Sequence, residues 1–93
     1  MNLLHSIEKP AMRMLDADRE QSIRVLQLYL TPKEATELLQ GLTELLRDPE
    51  ASEHVHVFAH DMSRELSFSI LTAKKLQESA EYSEVERRIF AEK

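Results

Sequence analysis

The chain has no cysteine, no tryptophan, one glycine and three prolines among its 93 residues. Without cysteine there is no disulfide framework, no thiolate metal site and no cysteine nucleophile. That suits a reducing compartment, and a cytoplasmic location is the expectation. So little glycine and proline argues against a disordered or linker-rich chain. It also leaves no glycine-rich phosphate loop, and neither a Gly-x-Ser-x-Gly elbow nor a His-Glu-x-x-His pair occurs. No apolar run approaches the ~20 residues that span a bilayer. The opening "MNLLHSIEKPAM" has no basic start leading into a long apolar run, so no signal peptide is expected. Basic residues are scarce too, 12 against 17 acidic ones, for a net charge of −5. Nucleic-acid binding rests on a phosphate-neutralising basic face. The longest basic runs are the pairs Lys74-Lys75 and Arg87-Arg88, so neither nucleic acid nor membrane is an expected partner.

What is present is ordinary globular composition, 42% hydrophobic and 31% charged. A single domain over residues 1–93 is expected, with an N-terminal segment 1–20 and a C-terminal helical segment 73–93. The clearest element is "TPKEATELLQGLTELLRDP". Thr31 stands as N-cap, Pro32 at the first helical position and Glu34 closes a capping box. Ala35, Leu38, Leu39, Leu42, Leu45 and Leu46 recur at helical spacing, and this stripe reads as core. Asp48-Pro49 stops the helix. Gly41 sits in its middle at a cost of roughly 1 kcal/mol against alanine. Either another backbone approaches closely there or the glycine is neutral drift.

Before the helix, "SIRVLQLYL" predicts a strand over Ile23–Leu30. A helix through Leu15, Ile23, Leu26 and Leu30 competes, but it must carry "DADREQ" through its middle. Upstream, "AMRML" reads as an edge strand joined to Ile23 through a "DADRE" turn, with a short helix after Pro10 as the alternative. Downstream, "HVHVFAH" and "RELSFSILT" alternate with period two and predict a hairpin. Opposed residues of an antiparallel pair share a face. To bring Val55, Val57 and Ala59 together with Leu66, Phe68 and Ile70, paired numbers must sum to an odd value. The loop therefore has an even length. Four residues, Asp61–Arg64, fit best, placing Val57 opposite Phe68 and His60 opposite Glu65. Thr72 caps a short helix, and Ser83 with Glu86 forms a second capping box.

The expected fold is α+β with (β)βαββα(α) order. It is a two-layer sandwich with a mostly antiparallel sheet of three to four strands, one face covered by the 32–47 helix. A right-handed crossover places the third strand between the first two, as in a split βαβ unit. The other face then carries His54, His56, Phe58, His60, Glu65, Ser67 and Ser69, joined by Tyr29.

Three of the chain's four histidines fall within "HVHVFAH". On a strand His54 and His56 lie ~6.5–7 Å apart on one face, close enough to hold zinc or another divalent metal. A zinc site usually needs a third protein ligand, and His60 is ~13 Å further on. Acid–base chemistry would use His60 with Glu65 or Asp61 as orienter, beside Ser67 and Ser69. The plainer reading makes the histidines polar residues on a half-exposed face; at an interface, their protonation would weaken it. A small interaction module is favoured over an enzyme, with no cofactor expected, homodimeric through the histidine-bearing face. A metal-binding or acid–base enzyme using His54, His56 and His60 is the alternative. An acidic antitoxin- or immunity-like inhibitor of another protein is the second alternative.

Overall fold

A computed structural model describes residues 10–92. The described residues form an α+β protein with two antiparallel two-stranded sheets and three α-helices. The chain forms two compact units, one reaching to Gln27 and resuming at Leu71, the other running from Leu28 to Ile70.

In the first unit, β1 (Leu15–Asp16) pairs with β2 (Gln21–Ser22), Leu15 opposite Ser22 and Asp16 opposite Gln21. The Asp16 carboxylate shapes the turn by accepting from the Asp18 and Arg19 amides at 3.1 and 3.2 Å. Glu20 takes the left-handed conformation at φ 55°. Thr72 caps α2 (Ala73–Gln77), and a 3₁₀ turn, Ser79–Glu81, leads to α3 (Glu84–Phe90). The expected Ser83/Glu86 capping box is formed at the start of α3.

Arg13 joins the hairpin to that helix. Its Nε donates to the Ile89 carbonyl at 3.0 Å, and its Nη2 to the carbonyls of Phe90 and Glu92. A helix end leaves such carbonyls without intrahelical partners and carries partial negative charge, so a guanidinium is well matched to it. Arg88 to the Glu20 carbonyl at 2.8 Å and Ser22 Oγ to Glu92 at 2.7 Å add two further links. Ile89 is buried, and Tyr82 meets Phe90 edge-to-face at 4.9 Å. Burial, then the nearby Glu86 and Glu81, hold the Tyr82 phenol above its ordinary range.

In the second unit, α1 (Pro32–Arg47) carries the expected Thr31/Glu34 capping box and Pro32 in its first turn. It packs on β3 (Val55–Phe58), which pairs with β4 (Glu65–Phe68). Gly41 is buried where they meet. A Cβ there would lie 2.5 Å from Val55 Cγ1 and 3.0 Å from Phe68 Cζ. The close approach read from the sequence is real, but it is made by side chains.

Three expectations are corrected. Residues 23–30 form no strand, so the expected three- to four-stranded sheet and its order do not arise. The Ile23 amide still bonds Met14 O at 2.9 Å, but the chain then leaves β1 and passes from one unit to the other. Strand propensity is realised only against a partner backbone in register. Second, the hairpin register is Val55–Phe68 and Val57–Leu66, two residues from that expected. The paired sum is odd, as the facing of the side chains required, and the loop is again four residues long, His60–Ser63. Ala59 N bonds Arg64 O at 2.9 Å across it. Third, the α1 stripe is only partly core. Leu45 is buried and Leu38 half-buried, while Ala35, Leu39, Leu42 and Leu46 are exposed.

Candidate functional site

Alternation along β3 and β4 builds the histidine row. Val55, Val57, Leu66 and Phe68 turn inward, and His54, His56, Phe58, Glu65, Ser67 and Ser69 are exposed. Rings two residues apart on a strand face are near neighbours. His54 and His56 lie 6.5 Å apart between centroids with their planes inclined by 29°, and His56 and Phe58 6.1 Å apart at 15°.

The register shift changes which histidine meets the carboxylate. Glu65 stands opposite Phe58, so its side chain is diagonal to His56. His56 Nδ1 and Glu65 Oε2 are bonded at 2.5 Å. The expected His60–Glu65 pair is not formed; His60 opens the loop instead. The side chains of His56 and Glu65 are 47% and 46% exposed, so solvent screens the pair and it contributes at most about 1 kcal/mol to stability. Chemically it is an imidazole held by a carboxylate, the base-and-orienter half of a nucleophilic site. Ser67 lies directly opposite His56. No hydrogen bond joins them among the described residues.

The loop's polar groups are committed to its own turn. Asp61 Oδ1 accepts from the Ser63 amide at 3.0 Å and from Ser63 Oγ at 2.5 Å. These bonds, the hydroxyl's first, lower the Asp61 pKa. Among the described residues, no group of three histidine, cysteine, aspartate or glutamate side chains converges to hold a metal ion. His54 and His56 remain a two-ligand pair, and Glu65 already engages one nitrogen of His56. Tyr29 is 87% exposed and belongs to no strand, so strand pairing does not bring it to the row.

An open cleft of about 680 Å³ lies in the other unit, lined among others by Met12, Arg13, Met14, Ile23 and Glu92. Arg13 there is occupied by carbonyls of the fold, which leaves it little to offer a ligand. No helix among the described residues is long and apolar enough to cross a membrane.

The surface that sequence reasoning missed is the outer side of α1. The signal was available in its width. At 100° per residue, Gly41 through Leu45, Leu38, Leu42, Ala35, Leu46 and Leu39 covers about 160° of arc. A two-stranded hairpin contacts one side of such a helix, and the rest needs a second neighbour.

No protein-family model, curated protein or solved structure matches the chain.

Proposed function

We propose that this chain is a protein-interaction module that completes its apolar packing by self-association. One observation carries the reading. In the Leu28–Ile70 unit only Leu45 and Val57 are buried apolar side chains, while Tyr29, Leu39, Leu46, Phe58 and Met62 lie open to solvent. Exposed apolar residues that lie together on one face usually mark a contact. Homodimerisation is the commonest way to cover it. The exposed row His54–His56–Phe58, expected to carry the interface, is one surface for it, and the outer side of α1 is another.

Acid–base chemistry is the second reading, favoured by the His56–Glu65 bond alone. Against it, both partners are half-exposed on an open hairpin, where water screens the charges a reaction would develop.

Light scattering on untagged protein, over about a hundredfold range of concentration, tests the first reading. The mass should rise above the 10.8 kDa of one chain. A single-chain mass throughout would overturn self-association.

A further inference from the structure

We infer that the partner is a second copy of this chain, and that the two meet along α1, antiparallel, about a two-fold axis between Leu39 and Leu42. The inference rests on the self-association proposed above and names its surface.

Ala35, Leu39, Leu42 and Leu46 are all exposed, and the three leucines keep 66, 38 and 61% of their surface. They fall within about 60° of helical arc. Their spacing is four, three, four, that of the core positions of a helix pair. The side of α1 that packs on the hairpin, Gly41 and Leu45, lies about 100° away, so both neighbours fit at once.

The flank of this seam is uncharged. Thr36 and Thr43 stand beside it, and each hydroxyl donates to the carbonyl four residues back, Pro32 O and Leu39 O, at 2.9 Å. With their polar atoms satisfied within the helix, these side chains can be covered without stranding a donor. Lys33, Glu44 and Arg47 lie further round, and Glu44 and Arg47 pair at 3.3 Å. Two chains of net charge −5 repel at long range, but the seam itself brings no like charges together.

A second copy is singled out because the pattern is its own complement. Reversing four-three-four leaves it unchanged. An antiparallel copy therefore sets each Leu39 opposite Leu42 of the other chain, and each small Ala35 opposite a large Leu46. Antiparallel helices also bring opposite dipole ends together. From Ala35 to Leu46 the seam runs about 17 Å, a small contact beside the interfaces of stable complexes. Leu28, Tyr29 and Leu30 enter α1 directly and are all exposed. In the antiparallel pair they come alongside the partner's helix end and extend the contact. The result is a weak dimer, seen at micromolar rather than nanomolar concentration.

Charge exchange tests the pairing in solution. Leu39→Glu and Leu42→Lys change exposed residues and should leave the circular dichroism spectrum unchanged. Each variant alone should weaken self-association at least about tenfold. Mixed in equal amounts they should regain the dimer mass, because residue 39 faces residue 42 of the partner. Leu39→Glu mixed with Leu39→Lys should not. Ala35→Glu with Leu46→Lys repeats the experiment at the outer pair, should Leu42→Lys disturb the fold. Recovery by the 39/39 mixture instead would overturn the antiparallel register. A wild-type dimer indifferent to Leu39→Glu would overturn the seam and leave self-association through another surface standing. A wild-type monomer would overturn both.

Discussion

At the scale of single residues, the informative position is the glycine that helix propensity alone would replace. Alanine at an exposed helix interior gains roughly 1 kcal/mol over glycine. At Gly41 the added methyl would meet Val55 Cγ1 at 2.5 Å and Val55 Cβ at 3.3 Å. Val55 is β-branched and held in a strand, so it cannot swing aside as a lysine or methionine would. Overpacking of this kind costs about 1–3 kcal/mol. Gly41→Ala should therefore be destabilising by up to about 2 kcal/mol net, seen as a lower denaturant midpoint with unchanged slope. Trimming the obstacle with Val55→Ala in the same chain should make the two changes less than additive. A more stable Gly41→Ala variant would mean that α1 does not seat on the hairpin through this position. Arg13 shows the same dependence on distant neighbours: beside the adjacent Ala11 and Met12 carbonyls it holds three that lie 76 to 79 positions along the chain.

Elements divide by how local their determinants are. The two capping boxes, Thr31/Glu34 and Ser83/Glu86, span four residues each, and both were legible in the sequence and formed. So was the sidedness of the hairpin, because alternation and pairing parity are properties of the chain itself. Its register was not legible, because the loop's own chemistry chose it. Asp61 gathers the Ser63 amide and hydroxyl, and Met62 adopts φ 63° with its amide bonded to Ala59 O at 2.9 Å. That turn closes on Ala59 and Arg64, shifts the ladder by two and hands Glu65 to His56 in place of His60. The strand expected over 23–30 failed for a related reason, since its apolar alternation needed a partner edge that the connection between the units does not supply. Met62 follows a left-handed geometry that favours glycine, and the residue is 66% exposed, so little packing is at stake. Met62→Gly should raise stability by about 0.5–1 kcal/mol, read from the thermal midpoint. A loss instead would show that the methionine side chain is covered in solution, and so place the loop in an interface.

Across the whole molecule the apolar core is small. Among the described residues the buried hydrophobics are Leu45 and Val57 in one unit and Ile89 in the other. Chains of this length are marginal even when well packed, because burial only narrowly exceeds the entropy of ordering the backbone. The proposed association over Leu39, Leu42 and Leu46 would therefore be coupled to folding, since it would bind the native state and leave the unfolded one alone. For a dimer, each tenfold rise in concentration adds about 1.4 kcal/mol per pair, or about 0.7 kcal/mol per chain. With the unfolding entropy usual for this size, the thermal midpoint should climb by about 3–6 °C per decade of concentration. Leu39→Glu should flatten that slope while altering the low-concentration midpoint little, because the residue is exposed in the single chain. A wild-type midpoint independent of concentration, in a protein that unfolds reversibly, would mean that the packing within a single chain suffices and that the exposed leucines stabilise nothing by meeting one another.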